Sequence, residues 1–346
     1  MAQKNRKQRK QGHHRIFLFT GQGAQYRCMA RALYDTEPVF REWMDRLDRI
    51  PEKKTGRSVN AFLYEEDKTD RSDFDAIGMS HPALFMVQFS LARTLMHYGI
   101  NPDCMIGASL GEYVALALAG VLPHEAVLKA LVENARILES CCRPGTMIGV
   151  SAQPECFHRH PALFENSTLA GVMSPGQFVV SGTFPGMERV AGFLEDAGME
   201  HQPLPIRFGF HSPGMDPAKV DGIRCFSKAI AAAGGLKIPR IPVLSCCTAA
   251  YVTSPGPGFL WDIGRKPIQF RKALVFLNHD LSHRGNGGQG RPGPVDLIDL
   301  GPGSHASGFV RQNAVFGKQK RIYRVMTLFG NEVRNLNKLK TEICSP

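Results

Sequence analysis

The sequence predicts an α/β protein, with a large unit built on a parallel sheet and a smaller unit inserted into it. Three observations carry this. Apolar runs at 16–19 and 102–106 each lead through a glycine-containing turn into a helical pattern. A further buried run at 295–300 ends in Gly301-Pro302-Gly303. Between these, residues 143–207 read in the order βαββαβ, the ferredoxin-like arrangement.

Taken in order, residues 16–19 form a first buried strand, and Thr20-Gly21-Gln22-Gly23-Ala24-Gln25 a turn. Helices follow over 29–50 and 82–98. The second is apolar nearly all round, as a core helix is, and Pro82 is expected in its first turn, where a missing N–H costs nothing. Residues 102–106 form a strand. Residues 110–140 hold two helices split by a turn at Val121-Leu122-Pro123. In the inserted unit, strands at 147–150, 169–172, 178–181 and 199–207 alternate with helices at 154–164 and 185–197. The large unit resumes with a helix at 214–234, a strand at 243–245 and a helix at 267–283. Residues 284–294 form a glycine-rich loop that matches no phosphate-binding pattern. The units are therefore 1–15 (a basic arm), 16–142 with 208–340, and 143–207.

The chain has 346 residues, 43% of them hydrophobic, enough for a full core. No apolar run approaches the roughly 20 residues that cross a bilayer, so no membrane role and a cytoplasmic location are expected. Nine cysteines, without C-x-x-C or zinc spacing, read as reduced thiols, and no metal site is expected. The net charge is +11. Six of the basic residues lie in 1–15; without them 36 basic residues face 31 acidic ones. Nothing resembles a nucleic-acid recognition element. The excess suits an acidic protein partner.

Gly107-Ala108-Ser109-Leu110-Gly111 is G-x-S-x-G, and it sits between a strand and a helix. That context strains the serine and projects its hydroxyl from the strand end. It makes the large unit α/β-hydrolase-like and Ser109 a candidate nucleophile. The serine needs a base. Of the twelve histidines, His211 lies at the exit of the inserted unit, in Phe210-His211-Ser212, where it can lean over the cleft. His201 lies in a polar strand without such a setting. The Leu110 backbone N–H and the turn at Gln22 are candidate oxyanion donors.

These motifs together resemble the malonyl-CoA:acyl carrier protein transacylase family. The resemblance covers about 15–325 and rests on Thr20 to Gln25, Ser80-His81-Pro82-Ala83-Leu84, Gly107 to Glu112, Ser174-Pro175-Gly176-Gln177, Phe210-His211-Ser212 and Gly301-Pro302-Gly303. It implies Ser109 as nucleophile, His211 as base, and the Gln22 and Leu110 N–H groups as oxyanion hole. It also implies an acyl carrier protein partner and an acyl thioester substrate. No cofactor is implied beyond the phosphopantetheine that arrives on the carrier or on CoA. A monomer is expected.

Four departures fall in the substrate pocket that the resemblance implies. Ala108 stands where the family has His, His81 where it usually has Gln, and Met173 where it usually has Asn. Asn134 stands where the family has the Arg that pairs with malonate. Asn cannot replace a guanidinium on a carboxylate. Arg136, two positions on, faces about 200° away on a helix. Members lacking this Arg resemble the stand-alone acyl hydrolases of trans-acyltransferase polyketide systems. An editing hydrolase that removes non-carboxylated acyl groups is therefore expected. The alternative is a malonyl- or acyl-CoA:acyl carrier protein transacylase.

Overall fold

The computed structural model describes residues 13–64, 76–284, 293–317 and 320–344. Most of the basic arm and most of the glycine-rich loop lie outside them. The strands in chain order are β1 (His14–Phe19), β2 (Cys104–Gly107), β3 (Gly145–Val150), β4 (Thr168–Ser174), β5 (Gln177–Thr183), β6 (His201–Pro203), β7 (Val243–Ser245), β8 (Ala250–Tyr251), β9 (Val295–Asp299) and β10 (Lys320–Arg324).

Two sheets result. The larger has the order β10-β9-β1-β2-β7-β8, parallel except for the short β8 at its edge. β1 and β2 are wholly or nearly wholly buried, as central parallel strands covered by helices must be. The smaller is antiparallel, β4-β5-β3-β6, which is the ferredoxin-like order. It has its own small core around Phe157, Phe178, Val180 and Leu194. The small sheet is tied at its β4 edge to a segment of the large unit. Ile268 donates its N–H to the Ala170 carbonyl and accepts from Val172 N–H, continuing the small sheet at β4.

Three expectations need correction. Pairing with β9 carries β1 back to His14, so Arg15 is buried strand rather than solvated arm. Its N–H donates to Asp103 Oδ2 at 2.8 Å. The core helix begins at Ile77, which puts Pro82 inside it and not in its first turn. The Gly78 carbonyl thereby loses its helical partner. Burial of the helix from Ile77 through Leu95 on nearly every side offsets that loss. The last strand of the small unit is only three residues; beyond it the chain keeps isolated bonds to β3, Leu204 N–H to the Met147 carbonyl and Gly145 N–H to the Arg207 carbonyl.

Candidate active site

The parallel register sets Phe19 beside Gly107, so the turn after β1 lies against the turn after β2. Ala108 N–H closes this junction on the Phe19 carbonyl at 3.0 Å. The packing needs glycine. A Cβ on Gly111 would fall 2.5 Å from the Phe19 carbonyl oxygen, and one on Gly21 would fall 2.6 Å from Ser109 Cβ. Ser109 holds φ 53°, ψ −127°, a conformation side chains resist and a nucleophile elbow imposes. The helix Leu110–Leu118 starts at once behind it. Glu112 anchors that helix from a fully enclosed position. It accepts from Ser245 Oγ (2.6 Å) and Cys247 N–H (2.7 Å), and burial pushes its carboxyl up to about 8.

The first turn is held as firmly. Buried Gln88 accepts from Thr20 N–H (2.8 Å) and donates to the Thr20 carbonyl (3.0 Å). Gln22 Nε2 donates to Ser80 Oγ at 3.1 Å. The backbone N–H groups of Gln22 and Leu110 have no protein acceptor among the described residues. Both residues line the space beside Ser109.

His211 Nε2 lies 2.9 Å from Ser109 Oγ. Its Nδ1 lies 2.8 Å from the Lys266 carbonyl, and its backbone N–H donates to the Gly264 carbonyl at 3.0 Å. A carbonyl only accepts, so Nδ1 carries the ring proton and Nε2 presents a lone pair to the serine hydroxyl. Gly264 lies in the last turn of the helix Pro257–Arg265, where carbonyls lack helical partners and their dipoles favour a cation, and Lys266 is the extended residue that caps it. Burial drives the imidazole down to about 4, against the opposing pull of the Lys266 carbonyl. The ring is therefore neutral at pH 7.

The sequence did not predict this helix, and with it missed the groups that orient His211. Its signals were present: Pro257 at the first turn and the apolar spacing of Leu260, Trp261 and Ile263. Tyr113, on the helix behind Ser109, donates to the Leu260 carbonyl at 2.6 Å and ties the two halves together.

Two spaces meet at Ser109. A cleft of about 390 Å³ runs between the sheets, walled by Gln22, Met147, Leu204, Phe210, Ile268 and Phe309 among others. Ala108 and Met173 line it. A second cavity of about 30 Å³ lies in the large unit, and His81 and Asn134 line that one. The four predicted pocket residues therefore divide between two compartments. Arg136 points to solvent beside Glu133, away from both.

The small cavity is enclosed by Leu110, Leu131, Leu138, Phe226 and Trp261. Three polar atoms of its lining residues have no hydrogen-bond partner: His81 Nδ1, Asn134 Oδ1 and Trp261 Nε1. Burial takes the His81 imidazole down to about 3, so it too is neutral. Neither space is lined by Lys, Arg, Asp or Glu among the described residues.

The sequence model of the acyl transferase domain matches residues 16–248. The chain belongs to the acyl transferase domain family. It is 36% identical over 331 residues to the polyketide biosynthesis acyltransferase homolog BaeD of Bacillus velezensis, covering 96% of this chain and 97% of that one. The corresponding homolog PksD of Bacillus subtilis is 32% identical, with 93% and 94% covered. The acyltransferase domain from the second module of the salinomycin polyketide synthase superposes with a TM-score of 0.79 at 26% identity, covering 95% of this chain and 72% of that one. The protein is thus an acyltransferase-family enzyme of the polyketide-synthase type. Among its described residues, no helix is long and apolar enough to cross a membrane.

Proposed function

We propose that this acyltransferase-family protein is an editing hydrolase, which removes neutral, non-carboxylated acyl groups from acyl carrier protein thioesters in polyketide biosynthesis. One observation carries the reading: the small cavity beside Ser109 is lined by residues with unpartnered polar atoms but by no cation. A malonyl carboxylate there would be buried without a partner, which is strongly disfavoured. A short neutral acyl group meets no such penalty.

Ser109 Oγ attacks the thioester carbonyl carbon while its proton passes to His211 Nε2. The oxyanion accepts hydrogen bonds from the Gln22 and Leu110 N–H groups. The carbon–sulfur bond breaks, and the leaving pantetheine thiolate takes the proton from His211. Water then attacks the Ser109 ester, giving a proton to His211. The ester bond breaks, Ser109 regains that proton, and the free acid departs. The helix end that holds Nδ1–H stabilises the transient imidazolium. No cofactor is needed, because phosphopantetheine arrives with the substrate.

The test is mass spectrometry of a carrier protein loaded separately with acetyl and malonyl groups, incubated with wild type and Ser109→Ala. Acetyl loss as free acid, dependent on Ser109 and with malonyl spared, is the expected result. A stable malonyl-enzyme that loads empty carrier protein would instead establish the transacylase.

A further inference from the structure

A groove of about 530 Å³ lies between β10 and the final helix, Glu332–Cys344. Its walls carry Arg321, Arg324, Arg334 and Lys338 against a single acid, Glu342. Asp296 takes up Arg321 through two hydrogen bonds, at 2.7 and 3.0 Å. The other three cations are exposed. Arg324 acts electrostatically on the buried Asp299 carboxyl behind it. Lys338 reaches Glu342 only at 3.7 Å, with both side chains well exposed. Between these cations stand Leu328, 62% exposed, and Phe329, 85% exposed, the most exposed large apolar side chain among the described residues.

The groove also adjoins the cleft. Gly303 and Ser304 wall both spaces. Gly303 at φ 71° and Ser304 at φ 60° turn the chain sharply between them, and Ser304 Oγ donates to the Met326 carbonyl, fastening this turn to the segment after β10. Asp299 secures the same turn from inside, accepting from Gly301 N–H and Ser307 N–H.

We propose that this groove is the docking surface for an acidic carrier protein, with the acidic face on Arg324, Arg334 and Lys338 and an apolar residue against Phe329. This rests on the carrier-thioester reading above. A rim of exposed charges around an apolar anchor sets association rate and partner choice, and its effect is screened by salt. Its continuity with the cleft lets one bound protein present its thioester to Ser109.

The experiment compares wild type, Arg334→Glu with Lys338→Glu, Phe329→Ser, and a reversal outside the groove, Lys228→Glu. Each is assayed on an acetyl-loaded acyl carrier protein and on acetyl-pantetheine. Carrier binding is titrated separately on the Ser109→Ala background. The double reversal is expected to lower kcat/KM on the carrier about tenfold or more and to flatten its salt dependence. Carrier affinity should fall in parallel, while turnover of acetyl-pantetheine and the Lys228→Glu variant stay at wild-type values. Phe329→Ser should weaken carrier binding without changing the salt slope. Unchanged carrier affinity in the double reversal would overturn the proposal. So would an equal fall on both substrates, or a change in self-association in place of carrier binding. If wild type cleaves neither thioester, the hydrolase reading fails, and the titration still decides the docking surface.

Discussion

The two spaces that meet at Ser109 are built differently. The broad cleft takes its walls from both units, and the bridge between Ile268 and β4 ties the small sheet to the large unit. The small cavity takes its walls from the large unit alone, chiefly from the helices around Leu131, Phe226 and Trp261. Small movements of the two sheets would reshape the cleft, whereas the cavity can change only by repacking a core. The difference assigns tasks. On the proposed function, the cleft would admit the long flexible arm and the smaller cavity would discriminate the acyl group by size and charge.

Removing either reacting group should abolish what the two spaces share. Ser109→Ala and His211→Ala are each expected to reduce turnover by about 10⁴-fold or more, with little further loss in the double variant. Substantial activity in His211→Ala would break the dyad reading.

The next largest effect tests the cavity's lack of charge. Asn134→Arg should raise malonyl turnover relative to acetyl by about 30-fold, near the lower end of what a buried charge pair is worth. An unchanged ratio in a folded variant would move discrimination out of the small cavity.

Packing gives a smaller effect. A Cβ on Gly222 would fall 2.5 Å from the Trp261 ring. Gly222→Ala should cost about 1–3 kcal/mol of stability, read from urea unfolding. It should also press Trp261 toward the cavity and penalise longer acyl groups first. A loss equal for all acyl lengths would separate Trp261 from selection.

The pH dependence is the finest probe. His211 is buried neutral, so kcat/KM should hold down to about pH 4 and not fall near 6.5. An acid limb near 6.5 would contradict the burial of the ring. Stability carries two opposing trends. His211 has a lowered folded pKa, so its contribution is present above about 6.5 and is lost as pH falls through about 4. Glu112 is raised to about 8 and Asp299 to about 6. Their contributions are complete below about 4 and are lost as pH rises through those values. Glu112→Gln should therefore flatten the decline in thermal stability between about pH 5 and 8. An unchanged slope would mean that Glu112 is charged in the fold.

Much of the serine side was legible because it is local. Gly107, Ser109, Gly111 and the helix after them lie within a few residues, and glycines placed by close approach leave a pattern in the chain. The histidine side was only half legible. His211 itself stood out by its position between two units, but its orienting carbonyls come from Gly264 and Lys266, more than fifty residues later. Backbone carbonyls carry no side-chain signature, so no motif marks them. The pocket was read as one because His81, Ala108, Asn134 and Met173 were matched to a single function. Side-chain direction divides them: Ala108 and Met173 face the cleft, and the helices bearing His81 and Asn134 turn those residues into the core.

By itself the sequence determined the α/β class, the inserted βαββαβ unit and the strained serine, because each is set by residues near one another; that Asn134 stands in place of an arginine is what the family resemblance implies. Only the tertiary structure decided that the imidazole is neutral and held through Nδ1, that the pocket is two spaces, and that the basic groove adjoins the cleft. Burial, tautomer and adjacency arise only when distant segments pack and exclude water from the groups between them.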